Sequence, residues 1–304
     1  MLKSFSRGTG MYKEITAKTL LTRIKNPQGW FGVEYNMNIY RGCQHGCIYC
    51  DSRSECYRID TFETVSVKVN AEALLREELG RKRNKFSIGT GAMSDPYTPA
   101  EGELKLTRKV LEIINDYNFP IHINTKSDMI LRDIDVLKSI NNTFASVAFT
   151  VTTCDEKLAS KIEPYAPSPS ARLNAMKQLS YHGIYTGVLL MPILPFIIDT
   201  IENVSLVVQN AYENGAKFII PYFGMTLRDR QREYYYKKLD EHFPGLQTKY
   251  AHLFGNKYGC TTPNHKELYS HFVELCKKYD MIYEMDRVNV YSHKNEQVQI
   301  SLFD

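Results

Sequence analysis

Short β-forming runs alternate with helical patterns along most of this chain. Phe86–Thr90 is followed by a helical pattern from Leu106 to Tyr117, and Ile121–Thr125 comes directly after it. Apolar residues in the pattern recur every three or four positions, which is typical of one buried helix face. Strands joined by single crossover helices run parallel, and apolar parallel strands need helices over both faces or in an outer ring. The alternation therefore predicts an α/β fold.

The same alternation continues beyond this first unit. Further β-rich runs are Ala145–Thr152, Gly187–Leu194 and Lys217–Tyr222, and the helical patterns between them end at Gly183 and Gly215. About six βα units favour a barrel or part of one. After Gly224 the pattern becomes helical, polar and aromatic. We predict two parts, a barrel part over residues 1–225 with an N-terminal lead-in, and a helical C-terminal extension over 226–304 that ends in a tail.

Composition limits the setting of this fold. The chain has 304 residues, of which 43% are hydrophobic and 24% charged, as in ordinary globular proteins. Its most continuous apolar stretch, Gly187–Ile198, is interrupted by two prolines and is shorter than the roughly 20 residues of a spanning helix. The first residues lack the apolar segment of a secretory signal. We expect a cytoplasmic protein that contacts no membrane and forms no disulfides.

Three of the seven cysteines lie within one short segment. Cys43, Cys47 and Cys50 are spaced by four and three residues and follow the β-rich run 33–40. Three thiolates from one loop can hold three irons of a cubane cluster and leave the fourth iron without a protein ligand. The spacing therefore indicates a metal site with one open position.

Two other interpretations of this segment stay open. A structural zinc needs four closed ligands, and Cys56 or His45 could supply the fourth. Unrelated buried thiols are the other alternative, but the flanking Gly42 and Gly46 are not typical of a packed core. Composition and spacing favour a cluster over zinc.

The pattern Cys43-x3-Cys47-x2-Cys50, with an aromatic residue before the third cysteine, resembles the signature of radical S-adenosylmethionine (SAM) enzymes. The runs 38–43 and 94–97 narrow the resemblance to the branch of spore photoproduct lyase, over residues from about 15 to 225. The resemblance implies a partial (β/α)6 TIM-type barrel, a [4Fe-4S] cluster and bound SAM. It also implies reductive cleavage of SAM to a 5′-deoxyadenosyl radical, an external one-electron donor and a DNA or nucleotide-containing substrate.

The resemblance also implies the residues that contact SAM, and these fall at the C-terminal ends of predicted strands, where barrel enzymes place their sites. Ser94, Asp95 and Lys126 are expected at the methionine end or the ribose, and Thr150 or Thr152 at the ribose hydroxyls. The guanidinium of Arg172 suits a carboxylate. Tyr49 is expected beside the adenine, and Met191 ends a strand at the same edge.

One position departs from the family pattern. Spore photoproduct lyase has a cysteine shortly before its Ser-Asp pair, and that thiol returns a hydrogen atom to the repaired thymine. Here Ala92 stands at or near that position. Cys56 and Cys154 would replace it only if the fold brought them to the site. Repair of the photoproduct itself is therefore not predicted by the residues.

Two segments bear on partners. The run 228–238 interleaves cations with aromatic rings, which suits phosphates and unstacked bases but is equally typical of a solvated helix with charge pairs. The chain carries a net charge of +4. Near the C-terminus, a pentapeptide resembles the motif that docks into the bacterial sliding clamp, unless it forms an edge strand. It consists of Gln299, Ile300, Ser301, Leu302 and Phe303.

Three functions follow in order of preference. The first is a radical SAM enzyme acting on DNA or a nucleotide-containing substrate, with a lyase-like reaction typical of DNA repair. The second is a radical SAM enzyme that modifies RNA, a peptide or a metabolite. The third is a non-catalytic zinc or cluster module that docks on the sliding clamp.

Overall fold

The computed structural model describes residues 2–4 and 11–292. The strands are β1 (Leu2–Ser4), β2 (Met11–Ile15), β3 (Leu21–Arg23), β4 (Tyr35–Met37), β5 (Tyr40–Arg41), β6 (Val65–Lys68), β7 (Ile88–Thr90), β8 (Ile121–Thr125), β9 (Ala145–Thr150), β10 (Tyr185–Leu190), β11 (Phe218–Pro221), β12 (Gly224–Thr226) and β13 (Gly259–Thr261). The helices are α1 (Ala71–Gly80), α2 (Glu101–Leu104), α3 (Leu106–Asp116), α4 (Ile134–Ile140), α5 (Glu156–Ile162), α6 (Pro169–Tyr181), α7 (Ile201–Glu213), α8 (Asp229–His242), α9 (Leu246–Phe254) and α10 (His265–Lys278).

A seven-stranded sheet forms the centre of the molecule. Its order is β11-β10-β9-β8-β7-β4-β3, and every neighbouring pair is parallel except β3–β4 at one edge. The six parallel strands confirm the predicted partial (β/α)6 barrel. The strand 121–125 has the predicted bounds, and the other five overlap the runs that predicted them.

Burial on both faces explains why these strands read as continuous apolar runs. Every residue of β8 and β9 is buried, because the inner face lines the barrel and the outer face packs under helices. Helix α6 starts where Ser168 accepts a hydrogen bond from the Ala171 amide, with Pro169 at the first helical position. It stops before Gly183, whose φ of +79° suits glycine.

A second, four-stranded sheet near the N-terminus was not predicted. Its order is β1-β2-β6-β5, with β2 and β6 parallel and the outer pairs antiparallel. The sheet joins short strands from distant parts of the chain, so no local periodicity indicates it. Strand β5 leads directly into the segment that carries Cys43.

The C-terminal part contains helices α8, α9 and α10 as predicted, together with a small sheet. Strands β12 and β13 pair antiparallel, with Met225 opposite Cys260. Cys260 is therefore a strand residue, whereas Cys276 is buried in α10. In the described residues, no helix is both long and apolar enough to cross a bilayer.

Candidate cluster and SAM site

The segment that carries the three cysteines is shaped by close backbone packing. Gly42 has a φ of +84°, and a Cβ there would lie 2.6 Å from the carbonyl oxygen of Phe62. The Cys43 amide donates a hydrogen bond of 3.2 Å to the same carbonyl. At Gly46 a Cβ would lie 2.6 Å from the ring of Tyr165. Both positions therefore require glycine, because the chain makes a turn pressed against neighbouring atoms.

The three thiols lie in a setting that suits a bound metal group. Burial raises the pKa of Cys43 and of Cys50 to about 11, and that of Cys47 to about 12. Thiolates so far from solvent need positive charge beside them, and a coordinated metal ion supplies it. The donor set, three sulfurs from a single loop, fits a [4Fe-4S] cluster with one open iron.

The zinc alternative finds no support in this geometry. Among the residues described, no three His, Cys, Asp or Glu side chains converge on a point that could hold one ion. His45 instead points Nε2 to Asp95 Oδ2 at 3.2 Å. Cys56 is exposed, with its Sγ 3.3 Å from Nη1 of Arg228. Neither residue completes a closed tetrahedral set.

A cavity of about 350 Å³ opens beside the cysteine segment at the C-terminal ends of the strands. Four of the predicted SAM contacts line it, namely Tyr49, Lys126, Thr150 and Met191, together with Cys50. The Lys126 Nζ lies 5.7 Å from the centre of the Tyr49 ring. The strand ends thus bring a cluster ligand, an ammonium, a hydroxyl and a thioether to one space.

The predicted contacts Ser94, Asp95 and Thr152 are buried but do not line this cavity. Asp95 already accepts hydrogen bonds from Thr125 and from the amide of Lys126, at 2.8 and 2.7 Å. Although burial raises the pKa of Asp95, His45 and the backbone amides of Lys126 and Tyr97 bring it down to about 2. Asp95 therefore ties the ends of neighbouring strands to the cysteine segment. Within residues 2–4 and 11–292, the hydroxyls of Ser94 and Thr152 have no hydrogen-bond partner.

The structure pairs Arg172 with a carboxylate of the protein itself. Its Nη1 forms an ion pair of 2.6 Å with Oε2 of Glu163, and both side chains are about 1% exposed. The same guanidinium donates to the carbonyls of Pro167 and Thr150 at 2.8 and 3.0 Å. Arg172 does bind a carboxylate, but the carboxylate is the protein's own, and the side chain does not line the cavity.

Glu163 was not predicted as a site residue, although it joins several groups of the site. Its Oε1 accepts a hydrogen bond from the hydroxyl of Tyr49. Burial alone would raise the pKa of Glu163, but Arg172 and Lys126 outweigh burial and lower it. No sequence signal marks this residue, because a lone glutamate before a proline is ordinary in a loop. Its place in the site arises because the fold buries it beside Tyr49, Arg172 and Lys126.

Asn124 was also missed. It lines the cavity, and its Oδ1 lies 2.9 Å from Nε2 of His122. Nδ1 of His122 lies 2.8 Å from the Ser146 hydroxyl. Burial lowers the pKa of His122 to about 4, so the ring is neutral and donates from Nε2 to Asn124. That bond leaves the amide nitrogen of Asn124 available to the cavity.

The run 228–238 packs on the protein rather than standing free. Arg53 lies between the rings of Tyr234 and Phe62, at 3.6 and 4.6 Å from their centres. Arg228 pairs with Asp51 at 3.2 Å, and Arg230 donates to the carbonyl of Ile59 at 3.3 Å. Two of the cations that suggested a nucleic-acid surface, Arg228 and Arg230, therefore bind the segment after the cysteines. The clamp-like pentapeptide, residues 299–303, lies outside the described residues.

Comparisons with known proteins agree with this geometry. The sequence profile of the Radical SAM superfamily matches residues 37–205, more than half of the chain. An uncharacterized protein of Methanocaldococcus jannaschii is 36% identical over 189 residues, which cover 61% of this chain and 69% of that protein. An uncharacterized protein of Mycobacterium tuberculosis is 29% identical over 253 residues, covering 80% and 73%.

Solved structures show the same fold. A structure of spore photoproduct lyase with dinucleoside spore photoproduct covers 88% of this chain and 79% of its own, with a TM-score of 0.65 and 15% identity. A second structure of that enzyme, which also holds AdoMet, gives a TM-score of 0.64 at 16% identity over the same shares. The chain belongs to the radical SAM superfamily and is an enzyme of the kind that uses a [4Fe-4S] cluster and SAM.

Proposed function

We propose that this enzyme modifies DNA or a nucleotide-containing substrate by hydrogen abstraction, and that the reaction does not end with hydrogen return from a protein thiol. The observation that carries the proposal is the cavity at the strand ends, which contains Cys50 and Lys126 and has Ala92 in its wall. The likeness of fold to spore photoproduct lyase, whose solved structure holds a dinucleoside, supports a nucleotide substrate.

The cavity residues have distinct expected tasks. Cys43, Cys47 and Cys50 would hold the cluster, which, when bound with SAM, supplies the electron that produces a 5′-deoxyadenosyl radical. Lys126 places a cation in the cavity, where it would bind the carboxylate of SAM. Thr150 offers a hydroxyl and Asn124 an amide, both suited to a ribose. Asn124, Lys126 and Thr150 lie at or directly after the ends of the buried strands β8 and β9, which fixes their positions.

Among the described residues, the cavity has no thiol besides that of Cys50, and this limits how a substrate radical can regain a hydrogen atom. Of the cysteines described, only the cluster ligand Cys50 lines the cavity. Cys56 lies against Arg228, Cys154 is half-buried elsewhere, and Cys260 and Cys276 are buried in the C-terminal part. A substrate radical formed here would have no protein S–H beside it. Hydrogen return from the methyl group of 5′-deoxyadenosine, or release of a modified product, fits this cavity.

Isotope transfer tests the proposal. The reconstituted, reduced enzyme is incubated anaerobically with SAM and an oligonucleotide carrying deuterium on its sugars and bases. We expect deuterium in 5′-deoxyadenosine. With an unlabelled oligonucleotide in deuterated solvent, we expect no deuterium in the product, since carbon-bound hydrogens do not exchange. An Ala92→Cys variant adds an exchangeable thiol to the cavity and should bring solvent label in. If the rate of SAM cleavage is the same with and without DNA, the substrate assignment is wrong. If the unaltered enzyme puts deuterium from the solvent into the product, the proposal that no protein thiol returns the hydrogen atom is wrong.

Binding strength gives an independent measurement. A nucleic-acid substrate held through its phosphates loses affinity as salt is raised, because bound counterions are released on association. We expect the affinity of the holoenzyme for a single-stranded oligonucleotide to fall between 50 and 200 mM salt, on the order of tenfold or more. An affinity independent of salt would contradict phosphate contacts.

A further inference from the structure

We propose that Gln231, in the first turn of α8, is a positioning residue for the iron–sulfur cluster. The C-terminal extension would thus be part of the cluster site rather than an addition to the barrel. The proposal concerns the cluster alone and holds whatever the substrate is.

The peptide group between Tyr49 and Cys50 carries the argument. Its carbonyl oxygen, on Tyr49, accepts a hydrogen bond of 2.9 Å from Nε2 of Gln231. Its N–H, on Cys50, donates at 3.4 Å to the carbonyl of Cys47. One planar unit therefore links two cluster ligands and is held at both ends. Rotation of this unit would move the Cys50 sulfur, and the contact with Gln231 opposes that rotation.

Gln231 is itself held in a single orientation. Its side chain is fully buried, and its Oε1 accepts a hydrogen bond of 3.0 Å from the amide of Arg228. The Thr226 hydroxyl lies 3.1 Å from the same oxygen and donates at 2.6 Å to Oδ1 of Asp51, the residue after Cys50. Capping of α8 explains the contact with Arg228, but it does not require the bond to Tyr49.

Further contacts between the same two segments fix the position of α8. The Glu55 amide donates to Oδ1 of Asp229 at 3.0 Å, and Arg53 stacks on Tyr234. The segment after the cysteines therefore cannot move away from α8 without breaking several bonds at once. Groups that orient metal ligands from behind in this way change metal affinity by about 10- to 100-fold when they are removed.

Cluster retention is the experiment. Gln231→Met keeps the volume and removes the donor, and Gln231→Glu keeps the shape and places an acceptor against the Tyr49 carbonyl. Each holoprotein is mixed anaerobically with an iron chelator, and loss of the cluster is followed by absorbance. We expect cluster loss about tenfold faster than in the unaltered protein, the lower end of that range. We also expect a changed electron paramagnetic resonance spectrum of the reduced cluster.

Tyr235→Phe is the matched control. Tyr235 is buried on the same helix, and its hydroxyl donates at 3.0 Å to Tyr250, away from the cysteine segment. This variant loses a buried hydrogen bond of α8 and should keep the original rate of cluster loss and the original spectrum. If both Gln231 variants behave as Tyr235→Phe does, Gln231 only stabilises the helix, and the proposal is wrong. If Gln231→Met does not fold, Gln231→Glu decides in the same assay.

Discussion

Removal of the Arg172 guanidinium separates two accounts of this residue. The resemblance implies that Arg172 binds the SAM carboxylate, whereas the structure pairs it with Glu163 at 2.6 Å in a place where both are about 1% exposed. Breaking a buried pair from one side typically costs about 3–5 kcal/mol, because the remaining charge stays buried without compensation. Arg172→Met also deprives the carbonyls of Pro167 and Thr150 of a donor.

We therefore expect Arg172→Met to lower the free energy of unfolding of the apoprotein by about 3–5 kcal/mol. The double variant Arg172→Met, Glu163→Gln removes both charges and should recover part of this loss, with a coupling energy of about 1–3 kcal/mol. Guanidinium denaturation of the apoprotein measures both quantities. Lys109→Met breaks an exposed pair with Glu72, with side chains 51% and 43% exposed, and should cost at most about 1 kcal/mol.

The outcome that would refute this reasoning is specific. If Arg172→Met costs under about 1 kcal/mol while the affinity for SAM falls sharply, the guanidinium acts on SAM and not on Glu163. A loss of stability with no coupling in the double variant would equally remove the ion pair as the cause. Since the denaturation is performed without SAM, the two roles do not mix in the measurement.

Three other outcomes are expected. Gly42→Ala places a Cβ 2.6 Å from the Phe62 carbonyl oxygen and should abolish iron retention after reconstitution. In the control Gly183→Ala the new Cβ meets nothing within 4 Å, so this variant should lose about 1 kcal/mol of stability through left-handed backbone strain and should keep its iron. Equal iron contents in the two variants would contradict the role of the turn at Gly42. Burial lowers the pKa of His122 to about 4, so its imidazole binds a proton at higher pH in the unfolded chain than in the folded one. The free energy of unfolding should therefore fall as the pH drops from about 6.5 to 4, by at most about 1.4 kcal/mol per pH unit. The His122→Asn variant should lack this contribution to the slope. The single tryptophan, Trp30, lines the cavity, so its fluorescence should change when SAM binds there. The fluorescence should stay constant on addition of a nucleotide that does not bind in the cavity.

Local patterns predicted the barrel because its strands and helices bury local faces. The strand 121–125 has its predicted bounds. All five of its residues are buried, as expected for a parallel strand covered on both faces. The four-stranded sheet that contains β5 and β6 was not predicted, because its pairs, such as Tyr40 opposite Val67, join residues far apart in sequence. Strand β13 escaped for the same reason.

The site shows the same division. The sequence predicts Cys43, Cys47 and Cys50 as cluster ligands because one loop carries all three, and the resemblance predicts Lys126 and Thr150 as SAM contacts at the ends of strands. Burial and the partner of a charge are properties of the folded chain. The resemblance implies that Arg172 and Asp95 contact SAM, whereas in the structure Arg172 pairs with Glu163 and Asp95 lies against His45. Ala92 lines the cavity, and the resemblance places it at or near the position where the family has a cysteine.

The sequence by itself determined the alternation of strands and helices, and it predicts the three thiols of the cluster and the edge of the barrel that carries the site. All of these depend on residues close together in the chain. Only the tertiary structure decided which charges neutralise each other and that α8 holds the peptide before Cys50 through Gln231, 182 positions away from Tyr49. Pairings over such distances depend on how the elements pack, and packing is set by the sum of many buried contacts rather than by any local pattern.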